Sequence, residues 1–274
     1  MVTDIRAYLL DLDGVVYRGE RLLPGARDLV EWLDASGRKV LFLSNNSIAT
    51  PQEVEAKLAR LGMPRAEGRV LTAGQAAARV LAARFPRGRI FVLGLPAVER
   101  MMEQAGLRVV WSEQDDSQIP DALIVALDRD LTYDRLRRAL GAILGGAAFY
   151  AVNRDPRLPV EDGFVPGTGS ITAALEYASG QKATIVGKPE PGIVVEAMHL
   201  LGVSPVQTLM VGDGLDLDIA AGRAAGVTTA LVLTGLTTGE EAGQATGMRR
   251  PHVIYKDLIA LLEAAKAMAG AAPA

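Results

Sequence analysis

Short apolar runs that break off at a polar residue, set between longer amphipathic segments, constrain this chain more than any other feature. Ala7-Tyr8-Leu9-Leu10 stops at Asp11, Val40-Leu41-Phe42-Leu43 stops at Ser44, and Thr208–Val211 stops at Gly212-Asp213-Gly214. Between them lie stretches with helical spacing: Leu29, Trp32 and Leu33 ahead of Gly37, and Val54, Leu58 and Leu61 after the Thr50-Pro51 start signal. A strand that is apolar at every position is buried on both faces, and the intervening helices are what cover those faces. The pattern therefore predicts an α/β chain with a mostly parallel sheet.

The same alternation recurs in the middle of the chain. Strands are predicted at Arg89–Leu93, Leu107–Trp111, Asp121–Leu127 and Ala148–Val152, with helices over Pro96–Gln104 and Tyr133–Leu144. These strand ends carry fewer polar clusters than the flanking regions, which marks the block as separate. The last third returns to the earlier style. Thr184–Val186 precedes Gly187-Lys188-Pro189, a helix runs from about Ile193 to Leu201, and a further helix to about Ala225 leads into strand Thr229–Leu233. The tail after Leu262 reads as a frayed helix end.

Composition narrows the chemistry. With 274 residues, 49% of them hydrophobic, the chain can bury one large core or two modest ones. Charge is balanced at 29 basic and 32 acidic residues with no basic block, so neither a nucleic acid nor a membrane surface is expected as partner. There is no cysteine, which excludes a disulfide framework, thiolate catalysis and a cysteine zinc site. Every uncharged stretch, Ala139 to Val152 among them, falls short of the ~20 residues that span a bilayer. The start lacks the order of a signal peptide, and a cytoplasmic protein is expected.

In open α/β sheets the carboxyl ends of the strands form the ligand crevice. Asp11 and Asp13, Ser44-Asn45-Asn46, Lys188, and Asp213 with Asp216 and Asp218 are all expected there. Several carboxylates beside one lysine, without histidine or cysteine, suit a hard cation such as Mg²⁺. The same donor set suits phosphoryl transfer, which needs positioning and charge neutralisation. Asp11 is placed to attack phosphorus, and Asp13 to give and take a proton. Ser44 and the amides after it can hold phosphate oxygens, Lys188 can bridge nucleophile and phosphate, and Asp213 can complete the metal shell. Taken singly, each has a plain alternative as helix cap, turn former or solvated surface group. Their combination at strand ends carries the reading.

Four segments resemble the signature motifs of the haloacid dehalogenase superfamily: Asp11-Leu12-Asp13-Gly14-Val15, Leu43-Ser44-Asn45-Asn46-Ser47, Gly187-Lys188-Pro189-Glu190-Pro191 and Gly212-Asp213-Gly214-Leu215-Asp216-Leu217-Asp218-Ile219. Val15-Val16-Tyr17-Arg18-Gly19, Asn153-Arg154-Asp155 and Pro166-Gly167-Thr168-Gly169-Ser170 resemble its NagD/4-nitrophenylphosphatase branch. The resemblance implies a Rossmann-like, doubly wound parallel-sheet core over residues 1–73 and 184–274, with a second α/β cap domain of C2 type inserted at 74–183. It implies Asp11 as nucleophile and metal ligand, and Asp13 as acid/base and as metal ligand through its main-chain carbonyl. Ser44, Asn45, Asn46 and Lys188 would bind phosphate, Asp213 would be the third metal ligand, and Asp218 would orient a metal-bound water. Arg129 and Asp130 fall in a segment similar to the family's cap specificity loop. Relatives that hydrolyse pyridoxal phosphate carry histidine where Asp130 stands. Gly214 and Leu217 depart from the commoner residues of the fourth motif.

The implied function is Mg²⁺-dependent hydrolysis of a small phosphate monoester, such as a sugar phosphate, a nucleotide or in vitro an aryl phosphate, through an aspartyl-phosphate. A phosphotransferase or phosphomutase would share that intermediate. A catalytically silent phosphate-binding regulator would keep the site without turnover. Both a monomer and a homodimer are compatible with the sequence. His199, His252, Trp32 and Trp111 match no motif and are expected to be structural or surface residues.

Overall fold

The computed structural model describes residues 5–47, 49–110, 118–160 and 163–270, and the chain divides into two compact units. One unit comprises residues 1–44, 51–71 and 189–274; the other comprises 45–50 and 72–188. Strand β1 (Ala7–Asp11), a small antiparallel ladder β2–β3 (Tyr17–Arg18 and Arg21–Leu22), β4 (Lys39–Ser44) and β5 (Val70–Thr72) come first. Then follow β6 (Arg89–Leu93), β7 (Arg108–Val109), β8 (Ala122–Val125), β9 (Ala148–Ala151), a hairpin β10–β11 (Arg157–Val160 and Gly163–Pro166) and β12 (Thr184–Ile185). Strands β13 (Thr208–Gly212), β14 (Thr228–Val232) and β15 (Val253–Tyr255) are the last three.

The first unit is a six-stranded sheet in the order β15-β14-β13-β1-β4-β5. β1 lies at its centre, buried at every position, and pairs in parallel with both β4 and β13. Helices Ala26–Ala35, Pro51–Arg60, Gly192–Leu201 and Leu258–Gly270 belong to this unit, and each carries an apolar stripe. On the helix Ala26–Ala35 that stripe is Leu29, Val30 and Leu33, a spacing that puts them on one face of a 3.6-residue helix. Register decides where the polar strand ends fall. Asp11 lies opposite Leu43, and Leu10 opposite Val211, so Asp11, Ser44 and Gly212-Asp213 emerge together at the same edge.

The second unit has its own five-stranded sheet, β12-β9-β8-β6-β7. Leu93, Leu123, Val125, Phe149, Ile143, Ile171 and Leu175 form its apolar core. The sequence expectation groups residues 184–274 with the first unit; Thr184 and Ile185 pair in parallel with Tyr150 and Ala151, and the second compact unit runs through Lys188. Residues 45–50 also belong with the second unit. The predicted strand Leu107–Trp111 is present as β7, while Trp111 lies outside the described residues. Trp32 is half-buried, with the Arg38 guanidinium 4.7 Å from its ring centre.

Candidate active site

Three acidic side chains of the first unit converge. Carboxylate oxygens of Asp11, Asp213 and Asp218 all lie within 4.8 Å of one another. Asp11 comes from the tip of β1, Asp213 from the residue after β13, and Asp218 from the π-helical turn Leu215–Ile219. Asp213 and Asp218 are only 4% and 2% exposed. Carboxylates held this close and this dry repel one another unless a cation or hydrogen-bond donors compensate. Donors supply part of that compensation. Asp218 accepts the N–H groups of Asp213 and Gly214, and Asp213 accepts that of Leu236 at 2.7 Å. The remaining oxygens form a hard, all-oxygen donor set that fits a divalent cation such as Mg²⁺.

Asp13 sits differently. Its side chain is exposed, two residues beyond the strand, where Gly14 turns the chain at a φ of +79°. A side chain at position 14 would be strained by that angle and would also run into the Asp213 carboxylate, so the glycine is doubly required. Tyr17 returns over this turn, with Gly14 N–H donating to its carbonyl at 2.9 Å and its hydroxyl 3.4 Å from Asp13 Oδ2. Burial first, then the charges of Asp13 and Asp11, push the Tyr17 phenol well above its ordinary value. Tyr17 is therefore a proton donor to Asp13 throughout the neutral range.

The loop after β14 is a part of the site that the sequence reading passed over. Thr234 Oγ1 donates to the Gly14 carbonyl at 2.6 Å, and Thr237 Oγ1 donates to the Asp213 carbonyl at 2.7 Å. A Cβ on Gly235 would overlap the Asp213 carboxylate, so only glycine lets this loop close over that residue. The signal was available: Thr234-Gly235 follows an apolar strand just as Asp11, Ser44 and Gly212 do. At Gly214, by contrast, an added Cβ would stay 3.4 Å from Asp218 Oδ2, an ordinary contact. Space does not demand glycine there.

Two further predicted residues meet in the second unit. Asn45 Nδ2 donates to the Lys188 carbonyl at 3.3 Å, and Lys188 is 2% exposed. Asn153 Nδ2 donates to the Asn45 carbonyl at 2.8 Å. Asn46 is exposed and closes its own turn, its Oδ1 accepting the Ala49 N–H at 3.1 Å. Ser44 is buried at the end of β4 in the first unit. Arg129 and Asp130 are both exposed, and the turn carrying them is fixed from below. Asp128 Oδ1 accepts the Asp130 N–H at 3.0 Å, while its other oxygen pairs with Arg135 at 2.9 Å. Asp216 pairs with Arg249 at 2.7 Å. His199 is exposed, and His252 accepts the Thr229 N–H on Nδ1 at 3.0 Å.

Parallel strands that present clustered carboxylates at their carboxyl ends define an α/β protein whose crevice offers donors that suit a hard cation. The haloacid dehalogenase-like hydrolase model matches residues 8–108, and a second model of the same kind, HAD-hydrolase-like, matches 185–261. An acid sugar phosphatase of Staphylococcus aureus is 34% identical over 236 residues, covering 86% of this chain and 89% of its own. Among solved structures, a 4-nitrophenylphosphatase from Thermotoga maritima superposes with a TM-score of 0.85 at 34% identity, covering 96% and 98% of the two chains. A glycerol phosphate phosphatase from Mycobacterium tuberculosis, solved in complex with magnesium, gives 0.83 at 36% identity over 94% and 77%. The chain belongs to the haloacid dehalogenase-like hydrolases.

Proposed function

We propose that this protein is a Mg²⁺-dependent phosphomonoesterase that passes a phosphoryl group from a small ester to Asp11 and then to water. The observation that carries the reading is the convergence of Asp11, Asp213 and Asp218 at the carboxyl ends of a parallel sheet. The phosphatases among its relatives support the ester class, and the magnesium in one of them supports the ion.

Asp11, Asp213 and the Asp13 main-chain carbonyl would hold the metal, and Asp218 would orient its water. Bound there, Mg²⁺ supplies charge neutralisation to the phosphate oxygens and to the carboxylates. In the first half-reaction an Asp11 oxygen forms the bond to phosphorus as the ester P–O bond breaks. Asp13 delivers its proton to the departing alkoxide. In the second, Asp13 takes a proton from water, whose oxygen attacks phosphorus; the Asp11–phosphorus bond breaks and inorganic phosphate leaves. Ser44, Asn45 and Asn46 bind equatorial phosphate oxygens, and Lys188 opposes their charge. The second unit acts as the cap, on which Arg129 and Asp130 read the leaving group. No helix among the described residues is long and apolar enough to cross a membrane, and a chain without cysteine suits the reducing cytoplasm.

The test is a phosphate-release screen over sugar phosphates, nucleotides and an aryl phosphate, with and without Mg²⁺. Release that requires the ion and is lost in Asp11→Asn, with metal binding retained, is the expected result. An Asp11→Asn protein that keeps most of its turnover would sink the covalent mechanism. Isomeric products in place of free phosphate would favour a mutase.

A further inference from the structure

One strand end of the second unit sends side chains to two predicted phosphate-site residues at once. Beyond β9 the chain runs Asn153-Arg154-Asp155, and its side chains alternate as in extended backbone. Arg154 turns one way and donates to the buried carboxylate of Glu176 at 2.8 Å. Asn153 and Asp155 turn the other way. Asn153, 2% exposed, donates to the Asn45 carbonyl and accepts the Asp155 N–H at 3.3 Å through Oδ1. Asp155 accepts a hydrogen bond from the Asn45 side chain and feels the Lys188 charge. Asn45 in turn reaches the Lys188 carbonyl.

The surroundings leave this arrangement little freedom. A Cβ on Gly187 would overlap the Asn45 amide and crowd the Val152 carbonyl, and Gly187 N–H donates to that carbonyl at 2.7 Å. On the helix that follows, Gly169 N–H donates to the Asp155 carbonyl at 2.9 Å, and a Cβ at Gly169 would overlap the Arg154 carbonyl. Ser47 and Thr168, both buried, approach through their hydroxyls at 3.4 Å. Burial holds the Asp155 carboxyl above its ordinary value, and the Lys188 charge and the Asn45 bond offset only part of that rise. Meanwhile Asn45 Oδ1 is buried and has no hydrogen-bond partner among the described residues, so this amide is held by its nitrogen alone.

We propose that Asn153 and Asp155 are positioning residues of the phosphate site, clamping Asn45 and Lys188 in the mutual register that receives the phosphoryl group. The inference rests on the phosphatase reading for what Asn45 and Lys188 do. Asn153 fixes the Asn45 main chain, and Asp155 fixes its side chain while opposing the Lys188 charge. Neither touches the reacting atoms.

The test uses the full chain with Mg²⁺ and an aryl phosphate. Asn153→Ala and Asp155→Ala are expected to lower kcat by about 10–100-fold, as misplacement of a transition-state contact does. The Mg²⁺ concentration for half-maximal rate and the folded fraction should stay as in wild type. Asp155→Asn, which keeps an acceptor for Asn45 without the charge, should fall between. A second readout needs no turnover: hydrogen exchange at the Asn45 side-chain amide, identified by Asn45→Ala, should speed up in both alanine variants. Wild-type kcat in Asn153→Ala and Asp155→Ala overturns the proposal, and so does a parallel loss of Mg²⁺ dependence and folded fraction. If Asp155→Ala does not fold, Asn153→Ala and Asp155→Asn decide. If wild type releases phosphate from no ester, the phosphatase reading fails, and unchanged Asn45 exchange in the variants then separately overturns the positioning claim.

Discussion

The Asp218 carboxylate accepts the backbone N–H groups of Asp213 at 3.2 Å and of Gly214 at 3.1 Å, so one acidic side chain fixes the chain that presents another. The π-helical turn Leu215–Ile219 brings Asp218 back far enough to do this, and a Cβ on Gly212 would overlap it. Asp218→Ala should free both amides and let Asp213 drift. We expect the Mg²⁺ requirement for phosphate release to rise about 10–100-fold, the usual cost of losing a group that orients a ligand. Asp218→Asn keeps an acceptor oxygen and should lose less. Activity against Mg²⁺ concentration and calorimetric titration both measure this; an unchanged Mg²⁺ curve for Asp218→Ala would contradict it.

Gly235 makes the same point from the other side of Asp213. The loop that includes it donates the Leu236 N–H to Asp213 Oδ2 and two Thr237 groups to the Asp213 carbonyl. Gly235→Ala should push the carboxylate out of the cluster and cut kcat/KM by about tenfold or more. Gly214→Ala, where a Cβ meets nothing closer than 3.4 Å, should stay near wild type. Equal kcat/KM in the two variants, measured side by side, would count against the packing argument.

These two positions also show what the sequence disclosed. The strand ends at Asp11, Ser44 and Asp213 were legible because a buried parallel strand is apolar throughout, so its first polar residue marks its tip. Hard donors without histidine or cysteine suggested Asp11, Asp13 and Asp213 as ligands with Asp218 behind them, and the carboxylates that lie within 4.8 Å of one another are those of Asp11, Asp213 and Asp218. Strand Thr184–Ile185 was legible as a strand but not as a neighbour of β9, since pairing partners depend on tertiary register that a two-residue strand cannot encode. The loop over Asp213 was missed because Thr234 and Gly235 carry no charge, and their contribution is a hydroxyl and an absent side chain. Glu176, in the last turn of helix Thr168–Ser179, looks like an ordinary surface position until its partners are seen.

Glu176 gives a pH prediction. Its side chain is 5% exposed and holds Arg154 at 2.8 Å, Lys182 at 3.0 Å and the Ala183 N–H at 3.0 Å. Burial raises its carboxyl, but these three donors outweigh it and bring it from its ordinary 4.5 down to about 2. A value lowered by folding means stability that is complete above 4.5 and lost as pH falls toward 2. Urea unfolding between about pH 6 and 3 should show wild type losing about 1–2 kcal/mol more than Glu176→Gln, after discounting the solvent-exposed Lys182. Parallel acid limbs in the two proteins would show that Glu176 carries none of that dependence.

Tyr17 bears on the proton that Asp13 is proposed to handle. Its phenol stays protonated, because burial and the Asp13 and Asp11 charges all raise it. A donor 3.4 Å from Asp13 Oδ2 engages one oxygen and leaves the other outside that hydrogen bond. Removing the hydroxyl should let the Asp13 side chain, which is exposed, sample orientations that cannot protonate an alkoxide. A nitrophenolate departs without that proton, whereas a sugar or glycerol alkoxide does not. Tyr17→Phe should therefore slow alkyl phosphates several-fold more than 4-nitrophenyl phosphate, and Asp13→Asn should show the same order with a larger gap. Rates for good and poor leaving groups that fall by one common factor in both variants would remove proton delivery from the account of Asp13 and leave it a role at the metal alone.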